Sequence, residues 1–215
     1  MSKASHIERM ALADLHSAAT PAMRGALGLT WATIDGVAVS VAAGLDPSAI
    51  VINRVPDIDA STPVTPERVG AILALYAAAG VERFFIQSTS PPDASLLPAG
   101  GLGTARAWQG FRHQGAISQA RSDLAIREIG PEHGAQFGAI VADGFDLGSA
   151  AAPWLGRLPG RARWRIFMAF DGAQPVGTGA LFVMNGIGWC DWAATAPHAR
   201  RRGCQSALLA ARLAA

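Results

Sequence analysis

The chain has 215 residues, half of them hydrophobic, enough for a sizeable core in one large or two small domains. Charged residues make up only 16% and the formal net charge is +2, so there is no general electrostatic drive toward nucleic acid. Two cysteines, Cys190 and Cys204, suit a reducing compartment better than a disulfide framework, and no apolar run is long enough for a secretory leader or a membrane span, which points to a cytoplasmic protein.

In chain order, residues 7–19 predict a helix that Thr20 and Pro21 stop. Residues 30–33 and 37–41 flank Ile34-Asp35-Gly36, and an Asp-Gly turn between β-branched runs predicts a hairpin. Residues 49–54 are a further apolar run, read as a strand. Thr65-Pro66-Glu67 opens a helix, with threonine as N-cap and proline at the first position, and Gly80 closes it. Residues 81–87 follow as a strand, Ser90-Pro91-Pro92-Asp93 as a loop and residues 105–112 as one more strand. These elements make a small α/β unit of residues 1–116, joined through a linker around 114–123 to a second unit of residues 122–215.

In the second unit residues 124–129 predict a strand, and Gly130-Pro131-Glu132 starts a helix running to about Asp143. Residues 144–160 are rich in Gly, Ala and Pro, with Phe145, Trp154 and Leu155 scattered among them, as in a loop packed by its aromatics. Strand-like runs at 165–170, 174–183 and 187–194 are separated by Asp171-Gly172 and Asn185-Gly186, a pattern that specifies a three-stranded antiparallel meander. The last strand breaks at Pro197, passes through Arg200-Arg201-Arg202-Gly203 and becomes an Ala/Leu segment with strong helix propensity.

A strand, a basic turn and a helix N-terminus in that order make an anion site. The first helical turn has N–H groups without partners, and the macrodipole adds positive potential there. Three arginines at that end are unfavourable unless an anion sits among them, and Gly203 lets backbone approach it. Asp191 lies on the preceding strand with Trp189 on the same face; it is either a general base, directly or through water, or a charge on a solvated strand end. Cys190 reads as a small core residue. Cys204, at a helix start among arginines, is expected to have a lowered thiol pKa. His198 reads as a surface turn residue, and Arg161, Arg163 and Arg165 as a solvated strand edge.

The run Arg200-Arg201-Arg202-Gly203-Cys204-Gln205 resembles the pyrophosphate loop of the GNAT N-acetyltransferase superfamily, with Arg200 and Gly203 matching its Gln/Arg-x-x-Gly-x-Gly/Ala pattern and Gln205 standing where a small residue is usual. Ala193 to Pro197 and Ala207-Leu208-Leu209 also resemble that family's strand four and helix three. The resemblance implies a GNAT-like mixed sheet flanked by helices (class α/β, or α+β). It implies that Arg200, Arg201, Arg202, Gly203, Cys204, Gln205 and Ser206 hold the pyrophosphate of acetyl-coenzyme A as cosubstrate, without a metal. It further implies that the backbone of Trp192, Ala193, Ala194 and Thr195 pairs with the pantetheine arm and that residues 144–160 shape the acceptor pocket; Asp191 is the candidate catalytic base by its place on the strand, the acid that some members of the family carry on strand four standing two positions away. By the same resemblance residues 1–116 read as a degenerate GNAT-like domain, since Asn53-Arg54-Val55-Pro56-Asp57 stands where a coenzyme loop is expected, the alternative being an unrelated α/β cap, and residues 122–215 as a GNAT domain lacking its C-terminal strands.

The expected activity is acetyl transfer from acetyl-coenzyme A to an amine by direct attack, the acceptor being a small molecule or peptide. The alternative is an inactive acyl-coenzyme-A-binding or regulatory module, distinguished by binding without turnover. A nucleic-acid-binding protein using the arginine turn is the weakest reading, given the low net charge. Neither nucleic acid nor membrane is expected as a partner, and a homodimer stays open. The Ala, Gly and Arg content hints at a GC-rich bacterial genome.

Overall fold

The computed structural model describes residues 3–47, 49–59, 63–89, 101–105, 110–116 and 120–215. The expected loop at 90–93, the centre of the expected strand at 105–112 and part of the linker lie outside the described residues. The chain divides into two compact units, Met1–His16 with Thr20–His113, and Ser17–Ala19 with Gln114–Ala215.

The first unit contains α1 (Lys3–Ser17), α2 (Pro21–Leu27), β1 (Leu29–Ile34), β2 (Val37–Ala42), β3 (Arg54–Ile58), α3 (Pro66–Ala78) and β4 (Phe85–Ser88). Thr20 and Pro21 do more than stop a helix: the Thr20 hydroxyl accepts from the Met23 N–H at 3.2 Å, and Pro21 begins α2. The expected hairpin forms with Ile34 opposite Val37, and its two turn residues, Asp35 and Gly36, have φ of 46° and 82°, as a type I′ turn requires. The strand order is β1-β2-β3-β4, antiparallel except for the β3/β4 pair, which is parallel and connected through α3. Val37, Val39, Val41, Val55, Ile58, Ile72 and Tyr76 form the core between sheet and helix.

Two strands differ from expectation: β4 begins at Phe85 rather than at residue 81, and the run at 49–54 is largely not strand. Residues 49–53 are turns, and β3 starts only at Arg54. Ala49 and Ile52 are fully buried, so the apolar run is real, but its amides bond locally: Ile52 N–H and Asn53 N–H both donate to Ala49 O. The Asn53 side chain then takes a strand's place beside β2, its Oδ1 accepting from Ala42 N–H at 2.7 Å. Hydrophobicity alone does not separate these two conformations. The stretch compared above with a coenzyme loop, Asn53 to Asp57, is therefore mostly strand β3.

The second unit contains β5 (Ala125–Ile129), α4 (Gly134–Gly144, entered through a 3₁₀ turn at Pro131–His133), α5 (Ala152–Leu155), β6 (Trp164–Asp171), β7 (Gln174–Met184), β8 (Ile187–Thr195), a 3₁₀ turn at Pro197–Ala199 and α6 (Cys204–Leu213). The sheet is antiparallel in order β5-β6-β7-β8, and the last three strands form the expected meander. Asn185 and Gly186, both at positive φ, make a second type I′ turn. Residues 144–160 are compact short helices with Leu147, Trp154, Leu155 and Leu158 fully buried. They dock on α4 through glycine: a Cβ at Gly138 would strike Ala152 O, and one at Gly134 would strike Gly156 O.

Helices α4 and α6 both lie against β7 and β8. Gly144 of α4 abuts the Ala194 methyl, whereas Cys204 of α6 abuts Gly177, which pairs with Thr195; neighbouring strand residues face opposite sides, so the helices cover opposite faces. The fold is thus α/β, with two four-stranded sheets and six α-helices among the described residues. No helix among them is long and apolar enough to cross a membrane.

Candidate functional site

The candidate site is the stretch from Asp191 to Ser206, where β8 leaves the sheet and α6 begins. Within the described sheet β8 is an edge strand, so one side of its backbone is unpaired. Ala196 N–H donates to Val176 O of β7, so the backbone groups of Thr195, one residue back, point to the outer edge. Arg200 confirms the direction, its Nε donating to Thr195 O at 3.3 Å from outside the sheet. Ala193, two residues earlier, shares that orientation.

The pairing of β7 with β8 breaks at this point. Thr178 stands opposite Ala194 and Ala180 opposite Asp191, so the single residue Gly179 faces both Trp192 and Ala193. That is a β-bulge, and Trp192 occupies it at φ 50°, a conformation a bulky side chain rarely adopts. Asp191 holds it: Oδ1 accepts from the Trp192 N–H at 2.8 Å and Oδ2 from the Trp189 indole N–H at 3.2 Å. The Trp192 ring is buried, edge-on to Phe145 at 5.3 Å between centroids. Asp191 and Trp189 do share a strand face, and the carboxylate is engaged rather than free in solvent.

After the 3₁₀ turn the arginine segment reverses direction through two left-handed residues, Arg201 at φ 64° and Gly203 at φ 72°. Gly203 is required for another reason besides φ: a Cβ there would collide with Arg121 O, so what approaches it on that side is the protein's own backbone. The neighbouring Ser122 hydroxyl donates to Arg202 O at 2.8 Å. Arg202 pairs with two carboxylates at the surface, with Nη2–Asp123 Oδ2 and Nη1–Asp171 Oδ2 both at 2.5 Å. These bonds hold both carboxyls below their usual range and raise the Arg202 guanidinium. The three arginines are therefore not equivalent. Arg202 has its counter-charges within the fold, while Arg200 and Arg201 are exposed.

Helix α6 starts at Cys204 without a side-chain cap and without an acidic residue in its first turn. Ala207 N–H is bonded to Gly203 O at 3.0 Å, which leaves the amides of Cys204, Gln205 and Ser206 without helical acceptors. Gln205 points down onto the strand ends rather than out: Nε2 donates to Ala194 O and to Thr195 Oγ1, each at 2.8 Å. Its side chain therefore stands clear of the turn and ties α6 to β8. The Cys204 thiol is buried against Gly177, and burial pushes it up, outweighing the Thr195 hydroxyl and the Arg202 charge that pull it down. The lowered pKa expected from its helix position does not occur, because the side chain points into the core. Cys190 is likewise pushed up by burial, and His198 is exposed as expected. Tyr76, the single tyrosine, is buried in the first unit, where its hydroxyl donates to Ser40 O at 2.9 Å.

Sequence reasoning passed over two residues of this region. Arg212, in the last turn of α6, sends a buried guanidinium back to the bulge, and Asp123 in the linker anchors Arg202. An arginine near a helix C-terminus complements the macrodipole in solvent just as well, so nothing local distinguishes Arg212. Among the described residues, no group of three or more His, Cys, Asp or Glu side chains is placed to hold a metal.

No protein-family model matches the chain, and no curated protein matches it. Among solved structures, a GCN5-related N-acetyltransferase from Kribbella flavida is 14% identical, covers 99% of this chain and 80% of its own, and superposes with a TM-score of 0.54. An aminoglycoside acetyltransferase from an uncultured soil metagenomic sample is 20% identical over 40% of this chain and 67% of its own, at a TM-score of 0.34. At such identities the first similarity is one of fold: the chain has a GNAT-like fold.

Proposed function

We propose that the chain is an N-acetyltransferase that carries an acetyl group from acetyl-coenzyme A to an amine by direct attack. The observation that supports this reading is the continuity of an unpaired, bulged strand edge with uncapped helix amides and two exposed arginines. An extended ligand arm carrying amides would add to the Ala193–Thr195 edge as a further strand. A pyrophosphate joined to that arm would then meet the amides of Cys204, Gln205 and Ser206, where partial positive charge is already fixed in place. Arg200 and Arg201 would close over it, Arg200 exchanging the Thr195 carbonyl for a phosphate oxygen. Arg202 contributes by holding the turn, since its charge is spent on Asp123 and Asp171.

The coenzyme supplies an acyl group activated as a thioester. The base first takes a proton from the acceptor ammonium, the freed amine nitrogen bonds to the acyl carbon, the C–S bond breaks, and coenzyme A leaves as a thiolate that takes up the second proton released by the nitrogen, through solvent. Asp191 is the base we assign, directly or through a water; each of its oxygens accepts one N–H and retains a further acceptor position. The chain's main contributions are alignment of the two reactants and preset backbone dipoles along β8. The two bonds on Asp191 also favour a second reading, in which this carboxylate only holds the bulge and the fold binds acyl-coenzyme A without turnover.

Calorimetric titration with acetyl-coenzyme A tests the site. Arg200→Ala with Arg201→Ala is expected to weaken binding roughly tenfold or more, about 1.4 kcal/mol, without lowering the melting temperature. Arg202→Ala is expected to lower the melting temperature. Unchanged affinity in the Arg200/Arg201 double variant would sink the loop assignment. Binding without acetyl transfer to any of a panel of amines would select the second reading.

A further inference from the structure

Arg212 is 5% exposed, and its guanidinium reaches the sheet instead of solvent. Its Nε donates to Leu208 O of its own helix at 3.1 Å. Its Nη1 lies 3.4 Å from both Ala180 O and Asp191 O, the two carbonyls of the last regular pair before the bulge. Gly179, opposite the bulge, makes the room: a Cβ there would stand 2.8 Å from Arg212 Cζ and Nε. A cation buried on neutral carbonyls has no direct ion pair to offset its desolvation. What it supplies is a rigid planar fork, and this one fixes neighbouring strands where their own ladder stops.

Trp192 needs such support. A tryptophan at positive φ persists only where its surroundings over-determine it. Asp191 takes its N–H from one side, and Arg212 fixes the carbonyl just before it from the other. We propose that Arg212 is a positioning residue that holds the β8 bulge in the shape that turns the Ala193–Thr195 edge outward for its ligand. The ligand half of this statement rests on the coenzyme reading above; the bulge half does not.

The full chain is compared with Arg212→Met, Arg212→Lys and Gly179→Ala by two readouts. One is the Cα and Cβ chemical shifts of Trp192, which report its φ; the other is the Kd for acetyl-coenzyme A. Arg212→Met and Gly179→Ala are expected to move the Trp192 shifts toward ordinary strand values and to weaken affinity roughly tenfold or more, with Arg212→Lys in between. Unchanged Trp192 shifts in the folded variants overturn the proposal. Relaxed shifts with unchanged affinity overturn it as well, because the edge would then not depend on the bulge. If the unsubstituted chain fails to bind acetyl-coenzyme A, the coenzyme reading falls, while the shifts still decide whether Arg212 holds the bulge. Should Arg212→Met not fold, Gly179→Ala, which keeps the charge, decides.

Discussion

Burial decides the protonation of His16 more than any charge near it does. Its Nε2 is 2.8 Å from Ser40 Oγ, it is 1% exposed, and desolvation, helped by the Arg24 charge, pushes its pKa down to about 4. In the unfolded chain the imidazole takes its proton near 6.5. Between those values the unfolded state binds more protons, so stability falls as pH drops from about 6.5 to about 4 and then levels, a loss of up to roughly 3 kcal/mol. Denaturant titrations across that range are expected to show the slope in the native sequence and its flattening in His16→Gln; equal slopes would assign the acid sensitivity elsewhere. The same scale explains what the arginine triplet could not reveal. Three consecutive arginines are identical as sequence, and only the fold delivers Asp123 and Asp171 to Arg202, from 79 and 31 residues away. Cys204 shows the converse: the helix start was legible, but the direction of its side chain, which sets the thiol, was not.

At the scale of elements, turn chemistry was the most legible signal. Asp35-Gly36 and Asn185-Gly186 both occupy the positive φ values that their residue types favour, and local preference of this kind survives any tertiary context. Residues 49–53 were misread because an apolar run is common to strands and buried turns. Helical glycines were silent in the sequence, yet the structure divides them sharply. Gly70 in α3 is exposed with no atom near its Cβ direction, whereas Gly138 in α4 has Ala152 O there. Gly70→Ala is expected to stabilise by about 0.5–1 kcal/mol through backbone entropy. Gly138→Ala is expected to cost about 1–3 kcal/mol by forcing α5 away from α4. Thermal unfolding of both variants tests this, and equal effects would contradict the close approach of the two helices.

At the scale of the whole molecule, the strand-turn-helix order of the candidate site was readable because each piece is local, while the bulge was not, because it arises from a mismatch between two strands. All the residues assigned to coenzyme lie in the second unit, and His16 lies in the first. Ligand and acid should therefore act on different parts of the chain. A ligand that binds only the native state, at one hundred times its Kd, adds about 2.7 kcal/mol to the stability of whatever must unfold to release it. Hydrogen exchange with saturating acetyl-coenzyme A is expected to slow the amides of β7, β8 and the first turn of α6, leaving β1, β2 and β3 unchanged. Lowering the pH from 7 to 5 is expected to reduce the protection factors of β1, β2 and α1 first, once the slower intrinsic exchange at low pH is divided out, because the protonation of His16 acts there. Protection by the coenzyme centred on the first sheet, with β8 untouched, would move the binding site out of the arginine turn altogether.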